Sequence, residues 1–345
     1  MRVSLVFRRP IEGFYSIESY FDRVRTSLLR MGVEVDVCIS PYVSQGLLRR
    51  LGIIRFASRC RGDVVHITGD IHFAALGTDP VRTIVTVHDC GRLHQLRGWK
   101  RELLRQFWFR LPLERAAAIT VVSEAVREDL LRWVPALDPA RIHVIPVCIS
   151  PDFAAFARPF PHHSPRILQV GTAPNKNIPR LAQALRGIAC TLVVIGRLGD
   201  DQRQVLNDNG IQVENHWGIS DQHLLDLYRG ADLLAFVSTL EGFGMPILEA
   251  QSVGRPVVTS NCASMPSVAG DAAVLVDPFS VSSIREGVLR VIEDGAYRDE
   301  LIKRGQLNVR RFDSDAIAAR YRDLYRSLQR PARVPPRRTR WLLRG

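Results

Sequence analysis

Apolar and polar positions along the chain follow two rhythms that take turns. Short, predominantly apolar runs recur through the first half: RVSLVF (2–7), VEVDVCI (33–39), DVVHI (63–67), TIVTVH (83–88), AITVVS (118–123) and IHVIPV (142–147). Helical patterns separate several of them, such as 16–31 and 101–116. The second half repeats the scheme with RILQV (166–170), TLVVI (191–195), ADLLAFVS (231–238), PVVTS (256–260) and AAVLV (272–276). Apolar strands alternating with helices predict parallel sheets covered on both faces. The halves meet in SPDFAAFARPFPHHSP (150–165), which reads as a linker, and the stretch 280–328 is helical. The expected architecture is α/β, with two doubly wound Rossmann-like domains, 1–160 and 161–310, facing each other across a cleft. A terminal helix at 311–329 can cross back onto the first domain, and 330–345 reads as a disordered or surface-bound tail. Ligands in such sheets bind at the carboxyl ends of the strands, so the cleft is the expected site.

Composition fits this picture. A chain of 345 residues is too long for one ordinary core and comfortable for two, and 46% hydrophobic with 24% charged residues is the balance of a soluble globular protein. No apolar run reaches the length of a membrane span, and the first residues read as a strand rather than a leader, so a cytoplasmic protein is expected. Six scattered cysteines without a CxxC pair predict reduced thiols and no zinc site. The net charge of +12 points to an anionic partner, and six arginines without an acid in the tail 330–345 supply half of it. Nucleotide phosphate, nucleic acid and an acidic membrane all satisfy that charge.

The stretch LEGFGMPILEA (240–250) narrows the choice. It joins an apolar strand to a short helix, PILEAQSV, that stops at Gly254. Gly242 and Gly244 permit close approaches that a Cβ would block. Pro246 fits a first helical turn, and the exposed amides there form an anion site. Glu249, expected in that first turn, can accept bonds from two neighbouring hydroxyls, as on a ribose, and Glu241 can hold a second set. Phosphate with two polyol-binding acids describes a nucleotide sugar. Acids that merely favour the helix dipole are the other reading, and the residues alone leave the two even.

EGFGMPILE resembles the Glu-x7-Glu motif of retaining GT-B glycosyltransferases of family 4, the group 1 type. The likeness extends to 254–278, VGTAPNKNIPRLAQAL (170–185), VTVHD (85–89), VVSEAVREDLLR (121–132) and RIHVIP (141–146), in the family's order. The resemblance implies that Glu249 binds the ribose and Glu241 lies near the donor sugar's hydroxyls. The amides of Gly242, Phe243, Gly244 and Met245 would line sugar and diphosphate. Lys176 matches the lysine that neutralises the leaving diphosphate. Gly171 and Thr172 stand in the same loop, where many members carry an arginine after the glycine; Arg197 is a substitute by position. His88 would lie near the donor sugar, and Asp89 either orients it or caps the loop. Gly13, in the first strand–helix turn, would approach diphosphate and acceptor, the resemblance putting the acceptor on the 1–160 side and the nucleotide sugar on the 161–310 side. Val147-Cys148 stand where the family often has Asn-Gly, and Pro266-Ser267 where it often has Pro-Glu.

The implied reaction is transfer of a sugar from a nucleotide diphosphate sugar to a saccharide or lipid-linked acceptor, with retention and without metal or other cofactor. His88, Glu241 and Lys176 are the implied catalytic residues. Asp313-Ser314-Asp315 has the form of a metal motif but precedes a helix and reads as a cap. A cell-surface polysaccharide or glycolipid pathway is the family-level expectation. The basic–aromatic stretch LRGWKRELLRQFWFRLP (96–112), with the tail, can meet an anionic membrane. The alternatives are a nucleotide-sugar epimerase of the same fold or a basic nucleic-acid binder. No GxGxxG follows the first strand, no Walker motif is present, and no nucleic-acid motif is recognised.

Overall fold

The computed structural model describes residues 1–10, 16–161 and 163–329. Six strands form the first sheet: β1 (Arg2–Phe7), β2 (Glu34–Ile39), β3 (Val64–Ile67), β4 (Thr83–Val87), β5 (Ala118–Val121) and β6 (Ile142–Val144). The second holds β7 (Arg166–Val170), β8 (Thr191–Ile195), β9 (Gln212–His216), β10 (Leu233–Phe236), β11 (Val257–Ser260) and β12 (Val274–Val276). Their orders are β2-β1-β3-β4-β5-β6 and β12-β11-β10-β7-β8-β9, with every neighbouring pair parallel. The doubly wound α/β expectation therefore holds for both halves, each a parallel sheet wrapped by helices.

Strand composition follows position. β3, β4, β5, β10 and β11 are buried at every residue, as central parallel strands must be. β9 reads QVENH and escaped the sequence reading. As an edge strand it is mostly half-exposed, so it needs no apolar run to hold its place. The helix expected over 101–116 is three pieces: Gly98–Leu104, a π-helical turn at Arg105–Arg110, and Leu111–Arg115. Pro112 has no N–H to give an α-helical bond and its ring would strike the carbonyl four residues back, so the preceding turn widens.

The order of strands fixes where a ligand can enter. In the second sheet the chain switches direction between β7 and β10, its two inner neighbours, and the loops after both strands open at their carboxyl ends. These are the loops 171–177 and 238–244. In the first sheet the loop after β4, carrying His88, opens at the corresponding edge.

The terminal helix (Ser314–Gln329) lies on the first helix (Ser16–Arg30). Tyr20 Oη donates to Tyr321 Oη at 3.0 Å, and Arg30 pairs with Asp315 at 2.6 Å. Tyr325 Oη meets His66 Nδ1 at 2.8 Å, while His66 Nε2 meets Thr86 Oγ1 at 2.7 Å. His66 and both tyrosines are fully buried, and each polar atom has a partner, which is the condition for burying it cheaply. Asp313 Oδ1 accepts from the amides of Asp315 and Ala316, so the Asp-Ser-Asp triplet caps this helix. Cys60, Cys90, Cys148 and Cys190 are buried, Cys38 and Cys262 half-buried, and all six are free thiols. Among the described residues no helix is long and apolar enough to cross a membrane.

Candidate active site

The loop after β7 starts with Gly171 at φ +90°, whose amide donates to Ile195 O at 2.7 Å. The Lys176 stem crosses directly over this glycine, with Cε 2.7 Å from where a Cβ would stand. Any side chain at 171 would therefore displace the lysine. Asn177 follows in the left-handed region (φ 60°, ψ 30°) and starts the helix Ile178–Leu185. Its buried amide donates to Val237 O (3.0 Å) and Pro278 O (2.7 Å), fixing the loop against the β10 side of the sheet. An asparagine tolerates that backbone and supplies both donors.

Held this way, Lys176 Nζ stands 2.5 Å from Glu241 Oε1 and 4.7 Å from the centre of the Phe236 ring. The two side chains come from loops 65 residues apart in sequence. Each is mostly covered (18% and 15% exposed), so little solvent screens the pair. Asn175 Nδ2 reaches Leu240 O at 2.8 Å and Glu241 Oε1 at 3.3 Å. Ser264 Oγ bonds to Glu241 O (3.1 Å) and Phe243 O (2.7 Å). Asn175 and Ser264 were missed from sequence; for Asn175 the signal was present in the NKN triplet.

The motif helix is Met245–Ser252, with Gly244 (φ 106°) before it and Pro246 in its first turn. Glu249 is its fifth residue and sits in the second turn rather than the first, because the helix opens at Met245. Its Oε2 accepts from Tyr228 Oη at 2.5 Å. Burial pushes the carboxyl above its usual range, and the tyrosine bond opposes that. Burial likewise raises Tyr228 well above an ordinary phenol, so it stays a donor. Tyr228, on another helix, gave no signal in sequence. Phe243 is buried and packs edge-on to Phe312, 5.7 Å between ring centres, so only its backbone remains for a ligand.

His88 lies just beyond β4, facing the motif loop. Its Nε2 is 2.7 Å from Thr68 O, a carbonyl that only accepts, so the ring carries its hydrogen there and leaves Nδ1 as an acceptor. Burial lowers its basicity, with the Thr68 bond opposing. Asp89 Oδ1 accepts from the amide of Gly91 at 2.7 Å, which is the capping alternative for this residue. Gly242 closes the cleft: Ser123 Oγ donates to its carbonyl at 2.7 Å, and a Cβ there would fall 3.1 Å from the His88 carbonyl carbon and 3.0 Å from Asp89 Cβ.

Thr172 packs against Gly196, and its carbonyl accepts from Gln202 Nε2 at 2.8 Å. Arg197 stands exposed on the turn after β8, outside the Lys176–Glu241 cluster. The tertiary structure thus links Gly171 to Lys176, Lys176 to Glu241, and Gly242 to the His88 backbone, while Glu249 on the motif helix bonds to Tyr228. Gly13 and the tail 330–345 lie outside the described residues. Among the described residues, no group of three or more His, Cys, Asp or Glu side chains is placed to hold a metal ion.

Two doubly wound sheets with a ligand crevice between them define a GT-B fold. Solved structures agree over nearly the whole chain. Sucrose-phosphate synthase from Thermosynechococcus elongatus matches with a TM-score of 0.76 at 18% identity, covering 95% of this chain and 99% of that one. HepE of Anabaena in complex with UDP-glucose matches with a TM-score of 0.74 at 15% identity, covering 94% and 99%. The family described as Glycosyl transferases group 1 matches residues 152–308, and that described as Glycosyltransferase Family 4 matches residues 29–153. Fold and matches together support a GT-B group 1 glycosyltransferase. Among curated relatives, O-antigen chain mannosyltransferase B of Escherichia coli is 33% identical over 173 residues, 47% of this chain and 45% of its own. The MMP alpha-(1->4)-mannosyltransferase of Mycolicibacterium hassiacum is 26% identical over 257 residues, 67% of this chain and 62% of its own. The matched stretches thus span about half to under two thirds of these relatives' length.

Proposed function

We propose that this protein transfers a sugar from a nucleotide diphosphate sugar to a saccharide or lipid-linked acceptor, retaining the anomeric configuration and using no metal. The observation that carries the reading is the joining of Lys176 and Glu241 at the switch point of the second sheet, with the Glu249 carboxylate held ready on the motif helix. Glu249 Oε1 accepts from the ribose hydroxyls. The amides at the start of the motif helix and Lys176 take the diphosphate. Glu241 and neutral His88 hold hydroxyls of the transferred sugar. As the glycosidic bond breaks, charge builds on the departing phosphate, and a fixed ammonium in a covered cleft stabilises it. No side-chain nucleophile is required if the acceptor hydroxyl attacks from the face the phosphate leaves, giving its proton to a phosphate oxygen. With Thr172 in place of a cation, Lys176 carries that charge stabilisation. Two relatives are named mannosyltransferases, which makes GDP-mannose the first donor to try.

The test is thermal stabilisation by GDP-, UDP-, ADP- and dTDP-sugars on the wild type and on Glu249→Gln. One nucleotide class should stabilise the wild type, with most of that shift lost in the variant. Absence of stabilisation by every class, in a protein that melts cooperatively, sinks the reading. Turnover of donor alone to an isomeric nucleotide sugar would establish the epimerase instead.

The acceptor's setting is proposed to be an anionic membrane. Trp99 (72% exposed), Leu103, Phe107 and Leu111 follow one another at intervals of four, and the π turn keeps such a row nearly straight. The helix Leu47–Ala57 adds exposed Leu47, Leu48 and Leu51, with Arg49, Arg50 and Arg55 and no acid. Arg50 stacks on Trp108 at 4.5 Å and joins the two segments. Flotation should occur with acidic but not neutral liposomes and fail in Trp99→Ser/Phe107→Ser; equal flotation with both lipids refutes the charge argument.

A further inference from the structure

Glu249 is held from behind by parts of the chain that take no part in the donor contacts above. Its partner Tyr228 is fully buried and stands on the helix Asp221–Gly230, 21 residues earlier in the chain. The 2.5 Å bond lies in the range of a hydroxyl donating to an ionised carboxylate. Phe153, in the linker between the two halves, sets its ring edge-on to that of Tyr228, 5.4 Å between centres. The same linker is fastened to the end of the motif helix. Phe153 O accepts from Ser252 Oγ, and the Phe156 amide donates to Val253 O at 3.2 Å. Arg255 completes the cluster, donating to Phe156 O (2.9 Å), Arg229 O (3.0 Å) and Tyr228 O (3.3 Å).

We infer that Tyr228 is a positioning residue for donor binding, fixing the Glu249 carboxylate for the ribose, and that the linker residue Phe153 braces it there. The inference rests on the nucleotide-sugar reading of the motif helix. An untethered glutamate samples several rotamers, and ordering it when a ligand arrives costs affinity. The bond to Tyr228 takes Oε2 and pins the side chain beforehand, so the ribose contact falls to Oε1. Phe153 presses on the tyrosine from a segment that joins the two halves, which ties donor affinity to the seating of the linker.

The tyrosine also acts on charge. Burial disfavours the ionised form of Glu249, and the Tyr228 bond favours it. Of the other charged groups facing Glu249, Arg23 on the first helix helps ionisation and Asp221 opposes it. Tyr228 itself keeps its proton, because burial raises it well above an ordinary phenol. A carboxylate that stays ionised is the acceptor that ribose hydroxyls need.

The experiment measures, by calorimetry on the full chain, binding of the nucleotide sugar that stabilises the wild type, at about pH 8 and about pH 6. The diphosphate of a nucleotide sugar is fully ionised at both, so the ligand adds no titration of its own. Tyr228→Phe should raise Kd about tenfold at the higher pH. It should raise Kd further at the lower, since a carboxyl that has lost its donor takes up a proton more readily and must release it to bind ribose. In a Glu249→Ala background the same change should cost less than about twofold. Phe153→Leu keeps the tyrosine bond and should raise Kd about threefold, again only with Glu249 present. An unchanged Kd in either single variant, or a loss undiminished in the Glu249→Ala background, would overturn the inference. Phe153→Leu decides alone if Tyr228→Phe does not melt cooperatively. Failure of every nucleotide sugar to bind the wild type would instead remove the reading beneath it.

Discussion

Adding one methyl group at Gly242 tests whether the closed cleft is the working state. The new Cβ would sit 3.1 Å from the His88 carbonyl carbon and 3.0 Å from Asp89 Cβ, and nearer still to the His88 carbonyl oxygen. Carbon atoms pack best at roughly 3.5–4 Å. The obstruction on the His88 side is backbone, so no rotamer change relieves it. Either the two halves separate or the loop after β4 moves with His88. Overpacking of this kind costs about 1–3 kcal/mol. The larger effect is on chemistry, since misplacing reacting groups by about 1 Å costs on the order of a hundredfold in rate. Gly242→Ala should therefore lower kcat/KM for transfer about a hundredfold, alongside a modest fall in Tm. Gly230→Ala is the control: nothing lies within 4 Å of a Cβ there, and its φ is ordinary. Its melting and turnover should match the wild type. If Gly242→Ala retains wild-type kcat/KM, the contact between motif loop and His88 is not part of the active geometry.

Lys176→Met should lower kcat about a hundred- to a thousandfold while nucleotide binding weakens far less, read by steady-state rates against calorimetry. Asn177→Ala removes two buried donors and leaves a left-handed residue without its local compensation. The cost should be about 2–4 kcal/mol by urea unfolding. Stability should also fall on mild acidification, because burial lowers His66 to about 3 and His72 to about 4. The unfolded chain, with ordinary imidazoles near 6.5, binds more protons below that pH, so this stabilisation is complete above pH 6.5 and drains away down to about pH 3. Each imidazole contributes a slope of up to about 1.4 kcal/mol per pH unit, and a flat urea midpoint between pH 7 and 5 would contradict it.

What the sequence determined by itself is local in physical origin. Apolar runs such as TIVTV and LLAF can only be strands buried on both faces, and their alternation with helices dictates parallel sheets. Gly242 and Gly244 were legible because a strand-to-helix turn draws on few residue types, whereas Gly171 and Lys176 were named only through the family resemblance. Even the boundary error at Glu249 is one of helix start, where local signals are weakest. Tertiary structure decided everything that needs two distant segments at once. The strand order set the switch point, and with it which two loops of the second sheet meet. That meeting turned a loop lysine and a loop glutamate into a covered ion pair. Tyr228 holds Glu249, and Phe153 packs on Tyr228, across separations that carry no periodicity to read. β9 was hidden because an edge strand is under no pressure to be apolar, and the π turn because Pro112 acts on a turn that precedes it. Contacts between residues far apart along the chain are fixed by packing, and packing leaves its mark on sequence only as a pattern of buried positions.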